Sequence, residues 1–191
     1  MPPGTLRRAV DALRRGDVVL YPTDTILGLA VRPDSEAALR RLFHLKARPE
    51  GAPVSVAFSS WEEVENVARL DPPRRRALRE LLPGPYTLLL PARRKLLSRW
   101  PGGLFGPQGT VGVRIPDHPV ARALARAAGP VTSTSANRHG EPTCRTVAEA
   151  RRIFGDGVAV YLPADPPPRG VPSTLVDLSH SRPRVVLRRR P

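Results

Sequence analysis

Short apolar runs and amphipathic stretches alternate along this chain without sorting into a strand block and a helix block. An α/β layer structure buries both kinds of face at once. Residues 5–15 carry Leu6, Val10 and Leu13 at helical spacing, with Gly16 as the stop. Residues 17–21 read as a buried strand closed by Pro22, and 26–31 as an extended segment beyond a polar turn. Asp34 or Ser35 caps a helix to about Ala47, and 53–58 is a strand. Ser60 caps a helix through Trp61, Val64 and Val67, with Glu63 at the capping-box position. A helix over 73–82 stops before Pro83-Gly84-Pro85, and 86–90 is an apolar strand. The basic, Gly-rich stretch 93–109 lacks periodicity, and mobility is expected there. Beyond it come a strand at 110–115, an alanine-rich helix at 118–128, a strand at 130–134, a helix at 146–154 and a strand at 158–162. A proline-rich loop, 163–172, precedes closing strands at 174–178 and 184–187. Because the alternation is imperfect, the sheet is expected to be mixed. A length of 191 residues suits one domain, 1–191.

Several function classes fall away on motif grounds. Neither lysine follows the glycines of a phosphate-binding P-loop, no GxGxxG follows a strand, and there is no GxSxG elbow. The four histidines (His44, His118, His139, His180) and Cys144 have no zinc spacing, so each histidine reads as a surface or capping residue. The lone cysteine excludes an internal disulfide and fits a reducing cytoplasm. No run of eighteen apolar residues and no signal-peptide core occur, so a cytoplasmic chain without a membrane span is expected. The net charge of +14 points to polyanionic partners, nucleotide or RNA. Arg74-Arg75-Arg76, Arg93-Arg94-Lys95 and Arg188-Arg189-Arg190 are candidate RNA contacts, although an arginine- and proline-rich, GC-type or heat-adapted composition would also explain the charge.

Lys46 and Lys95 are the only lysines among thirty-one basic residues. A lysine kept in so arginine-rich a chain suggests that a compact, rotatable ammonium is needed. Lys46 stands two residues before Arg48, and Pro49 should end the preceding helix there. The pair could grip an anion, or simply complement the helix dipole as a solvated C-terminus. Polar loops directly after strands are where open α/β sheets bind ligands. Four occur here: Tyr21-Pro22-Thr23-Asp24-Thr25, Val113-Arg114-Ile115-Pro116, Ser133-Thr134-Ser135-Ala136-Asn137 and Gly170-Val171-Pro172-Ser173-Thr174. They supply hydroxyls and cations but few bases, a composition suited to holding phosphate and carboxylate more than to abstracting protons.

Six linked motifs spanning nearly the whole chain resemble the YrdC-like family. They are Pro22-Thr23-Asp24-Thr25-x-x-Gly28-Leu29, Lys46-x-Arg48-Pro49 and Pro83-Gly84-Pro85-x-Thr87, followed by Val113-Arg114-x-Pro116-x-His118-Pro119, Thr134-Ser135-Ala136-Asn137-x-x-Gly140 and Ser173-Thr174-x-Val176-Asp177. The resemblance implies a single YrdC-like α/β domain, a twisted mixed sheet with flanking helices around a central basic cleft. It also implies a reaction, in which L-threonine, bicarbonate and ATP give threonylcarbamoyl-AMP and pyrophosphate. A separate transferase complex would then carry the threonylcarbamoyl group to tRNA. By motif, Thr23, Arg114, Ser133 and Ser173 would hold threonine and the carbamate. Lys46 and Arg48 would act on the ATP phosphates as the catalytic cations. Thr110, Ser135, Asn137, Thr143 and Arg188 would line the nucleotide region. Magnesium is expected to arrive on the triphosphate, since no carboxylate cluster is visible to hold it. The chain departs from the family pattern at Leu27, where an aromatic residue is usual, at Ala57, near a usual histidine, and at Ser55, a usual aliphatic position. Two other readings stand beside this one, a non-catalytic factor that binds tRNA or double-stranded RNA, and a relative that carbamoylates another acceptor.

Overall fold

Strand pleating divides the apolar side chains between two faces of one mixed sheet. The computed structural model describes residues 4–49, 52–180 and 184–186. Its strands are β1 (Val19–Pro22), β2 (Leu27–Ala30), β3 (Ser55–Ala57), β4 (Tyr86–Pro91), β5 (Phe105–Gly106), β6 (Thr110–Arg114), β7 (Val131–Ser135), β8 (Val160–Tyr161), β9 (Thr174–Asp177) and β10 (Arg184–Val186). Nine of them run in the order β10-β9-β4-β6-β3-β7-β2-β1-β8, and β5 pairs with β6. β1/β8, β3/β6 and β4/β9 are parallel, while the remaining pairs are antiparallel, so the sheet is mixed as expected.

The helices are α1 (Thr5–Arg14), α2 (Glu36–Leu45), α3 (Trp61–Val67), α4 (Pro72–Leu81), α5 (Arg94–Leu97), α6 (Pro119–Ala128) and α7 (Val147–Phe154). Their starts are chemically marked. Ser35, Ser60, Asp71 and Thr146 accept from the backbone N–H three residues on, each worth about 1 kcal/mol. The Glu63 carboxylate accepts from Ser59 N and Oγ, one residue before the cap, so the reciprocal bond of a capping box is displaced by one position.

In β1, Val18 and Leu20 face one core and Val19 and Tyr21 the other. The second core is built by α1 and α6 (Ala9, Leu13, Ala121, Leu124) packed on Tyr21, Ala30, Ala57 and Val131. Fully burying a leucine or valine contributes roughly 1.5–3 kcal/mol, so each face is held by several such groups. Strand alternation then continues that same face outward as polar residues. Ser55 lies two before Ala57, Ser133 and Ser135 follow Val131, and Arg114 and Thr87 point away from Val113 and Leu88 of the first core. Where α1 and α6 stop covering the sheet, the face becomes a lined hollow.

The stretch 93–109 differs from its expectation. It consists of single turns packed down: α5, a turn at Gly102–Leu104, strand β5 and a second turn at Pro107–Gly109. Leu96 and Leu104 are buried, and Val54 N donates to Gly103 O. Periodicity is missing because no element there lasts two turns. The basic clusters are also partly occupied. Arg74 clamps Asp71 and the carbonyls of Leu178, Ser179 and His180, Arg75 pairs with Glu65, and Arg93 donates to Glu65 O. The cluster at 188–190 and Leu187 lie outside the described residues. No helix among the described residues is long and apolar enough to cross a membrane.

Candidate active site

Side chains on this polar face close a cavity of about 430 Å³ between the ends of β2, β3, β6 and β7 and the loop before β9. Thr23, Arg48, Ser55, Arg114, Ser133 and Ser173 are among its lining residues. Gly28 lines it too, and a Cβ there would stand 3.0 Å from Tyr21 Cε1, so the position is tight for any side chain.

At the buried end lies an ion pair. Arg114 Nη2 donates to Asp24 Oδ1 at 3.2 Å and to Thr25 Oγ1 at 2.9 Å, with the Arg114 and Asp24 side chains only 6% and 5% exposed. Burial weighs against the Arg114 charge, and Asp24 opposes that loss. Two polar atoms of the pair, Arg114 Nε and Asp24 Oδ2, have no partner. A buried donor left unmade costs about 1–3 kcal/mol, so the pair is held at some expense to stability. Thr23 holds the turn that presents this pair. Its Oγ1 donates to Ile26 O at 2.7 Å and accepts from the N–H groups of Thr25 and Ile26. Across the cavity the hydroxyls of Ser173 and Thr87 share a hydrogen bond of 2.8 Å.

Lys46 follows the last residue of α2, and the positive φ of Ala47 (48°) turns the chain away after it. It is no solvated helix end, being 2% exposed. Its Nζ donates to Ser135 O, to Asn137 O at 2.6 Å and to Asn137 Oδ1 at 3.4 Å. Three oxygens match the three N–H groups of an ammonium, whereas a neutral amine would leave one unserved. Against them, burial and then the neighbouring Arg48 charge push Lys46 down to about 7. Arg48 lines the cavity and is tied back by Nε to Ala52 O and by Nη2 to Pro53 O. Ser135 Oγ donates to Asn137 Oδ1 at 2.5 Å, and Asn137 Nδ2 donates to the carbonyls of Arg138 and Glu141. This network makes a rigid corner at the end of β7.

The structure therefore brings Thr23, Arg48, Arg114, Ser133, Ser135 and Ser173 to one cavity, with Lys46 and Asn137 forming the corner behind Ser135. Thr110 starts β6, four residues from Arg114, and Thr143 lies half-buried beside Cys144; neither lines this cavity. Arg188 lies outside the described residues. Sequence reasoning gave no role to Asp24, Thr25, Ser55 or Thr87. Asp24, Thr25 and Thr87 stand inside the quoted motifs, and an acidic residue beside a strand-end turn, with an arginine needing a partner, was the available signal. Leu27 and Ala57 are core residues, whereas Ser55 lines the cavity opposite Ser133. For a divalent cation the donor set is poor. No group of three His, Cys, Asp or Glu residues capable of holding a metal occurs among the described residues, and the Asp24 carboxylate already faces an arginine.

Two arginines, one of them buried, thus share the wall of one cavity with the hydroxyl residues Thr23, Ser55, Thr87, Ser133, Ser135 and Ser173. Residues 11–190 match the family model Sua5/YciO/YrdC, whose description reads "Telomere recombination". A threonylcarbamoyl-AMP synthase of Vibrio parahaemolyticus is 33% identical over 179 residues, covering 92% of this chain and 95% of its own. One from Thiobacillus denitrificans is 40% identical over 169 residues, 87% of each chain. Among solved structures, P. abyssi Sua5 complexed with L-threonine matches with a TM-score of 0.85 at 30% identity, over 94% of this chain and 52% of that one. This chain thus spans about half of the Sua5 chain. E. coli YciO matches with a TM-score of 0.82 at 26% identity, over 95% and 87%. The chain belongs to the Sua5/YciO/YrdC family, and its mixed sheet with flanking helices is that family's fold.

Proposed function

We propose that this protein makes threonylcarbamoyl-AMP and pyrophosphate from L-threonine, bicarbonate and ATP. The observation that carries the reading is the buried Arg114–Asp24 pair, with Arg114 in the wall of a cavity rich in hydroxyls. A guanidinium already fixed by Asp24 and Thr25 in the cavity wall suits the α-carboxylate of an amino acid as a charge-assisted partner. Curated relatives of similar length carry the corresponding name.

The amine of threonine and bicarbonate give a carbamate with loss of water, and a carbamate oxygen attacks the α-phosphorus of ATP while pyrophosphate leaves. Little proton abstraction is required, which suits a cavity with hydroxyls and cations on its walls. Arg114 fixes the amino-acid end. Ser133 and the Ser173–Thr87 hydroxyl pair face the carbamate, and the turn held by Thr23 sets their distance from it. Arg48, with Lys46 behind Ser135, meets the phosphates and offsets their charge during in-line displacement. Ser135, Asn137, Thr110, Thr143 and Arg188 are assigned to the nucleotide side. Magnesium would be carried by the triphosphate itself, where it would offset phosphate charge, since the described residues assemble no group of three His, Cys, Asp or Glu to hold it. The product would pass, in the cytoplasm, to a separate transferase acting on tRNA. The non-catalytic RNA-binding reading draws less support, since among the described residues of the basic clusters Arg74, Arg75 and Arg93 are engaged within the protein.

Pyrophosphate release from ATP tests the proposal. Release that needs both L-threonine and bicarbonate supports it, and release indifferent to threonine rejects the assigned substrate.

A further inference from the structure

The His118-Pro119 part of the fourth motif plays no part in the chemistry above, yet His118 is buried, 2% exposed, at the start of α6. Its Nδ1 accepts from Val120 N at 3.2 Å, capping the helix. That bond leaves the ring proton on Nε2, which donates to Pro166 O at 2.9 Å. One imidazole therefore ties a helix N-terminus to the proline-rich loop 163–172. Five of that loop's ten residues are proline, leaving five backbone N–H groups. Two of those five bond the substrate-side turn: Arg169 N donates to Asp24 O at 3.3 Å and Gly170 N to Thr25 O at 2.7 Å. The same two residues, Asp24 and Thr25, hold Arg114 through their side chains. The loop also leads directly into Ser173 in the cavity wall.

We propose that His118 is a positioning residue for the amino-acid end of the site, acting through Pro166 and the 163–172 loop on the Asp24–Thr25 turn that orients Arg114. The inference rests on the reading of Arg114 as the carboxylate clamp. It assigns the loop as the brace of that clamp, with His118 fixing the brace to the sheet side of the molecule. The loop is short of internal hydrogen bonds, so an external anchor is what gives it a single position.

Two substitutions separate the two bonds of the ring. His118→Asn keeps an oxygen acceptor for Val120 N at a favoured N-cap but is too short for Pro166 O. His118→Gln carries an amide N–H about as far out as Nε2 but caps poorly. In His118→Asn, deuterium uptake should quicken in peptides covering 20–27 and 163–172. The threonine KM should rise about fivefold, the worth of one hydrogen bond, with the ATP KM unchanged. His118→Gln should restore both readouts while unfolding at a lower temperature than His118→Asn. Unchanged uptake in His118→Asn, or a threonine KM that follows thermal stability across the two variants, overturns the proposal. Should the wild type ignore threonine altogether, the proposed reaction fails, and the uptake comparison alone decides the brace.

Discussion

Replacing Arg114 with methionine keeps most of its volume and removes its charge, leaving the buried Asp24 carboxylate without its arginine. At 3.2 Å and an effective dielectric constant of about 20, the pair attracts by roughly 5 kcal/mol. Breaking a buried pair from one side typically costs about 3–5 kcal/mol. For a chain of this size that is a loss of roughly 6–20 °C in Tm. Adding Asp24→Asn to Arg114→Met removes the stranded charge and should recover most of that stability. It should not recover function. Threonine loses a charge-assisted hydrogen bond of about 1.5–3 kcal/mol, so its KM should rise roughly 10- to 150-fold in both variants. Thermal unfolding by circular dichroism and pyrophosphate release against threonine concentration measure the two effects separately. Threonine use that returns in the double variant would refute the clamp, because Arg114 would then matter only as the partner of Asp24. A single variant as stable as the wild type would refute the buried-pair argument itself.

Lys46→Met removes the donor to Asn137 O, which has no other among the described residues, and should lower ATP-dependent turnover by about 30-fold or more, read as initial rates at saturating threonine. Lys46 titrates near 7 folded against 10.5 unfolded. Between those values the unfolded chain binds the extra proton, so this group's contribution to stability rises with pH from about 7 upward and is flat below. Urea unfolding at pH 7 and pH 9 should therefore show the wild type gaining on Lys46→Met, by up to roughly 3 kcal/mol. Gly103→Ala would place a Cβ 2.9 Å from Phe43 Cε2, and the overpacking should cost about 1–3 kcal/mol in the same assay.

Local signals made the helices readable: Ser35, Ser60 and Thr146 cap where their side chains predict, and Gly16 follows α1. Strand positions were readable from apolar runs, but their order was not, because β3 pairing with both β6 and β7 depends on contacts far apart in sequence. Arg114 stood out as a charged residue where alternation leaves it facing inward. Its partner Asp24 did not, since the two are ninety residues apart and only the folded sheet brings the Arg114 side chain to the 23–25 turn. Lys46 was legible as an exception in composition, but its burial behind Ser135 was not. The short elements within 93–109 were not legible because single turns leave no period, and what packs them is Leu96, Leu104 and the close approach of Gly103 to Phe43.

The most direct test follows the carbon of bicarbonate. Purified protein is incubated with ATP, L-threonine and carbon-13 bicarbonate, and the nucleotide products are examined by mass spectrometry. The account predicts a threonine-dependent threonylcarbamoyl-AMP carrying the label in its carbamoyl carbon, with Arg114→Met/Asp24→Asn folded but making essentially none. Labelled product from that double variant at wild-type threonine concentrations, or none from the wild type, would contradict it.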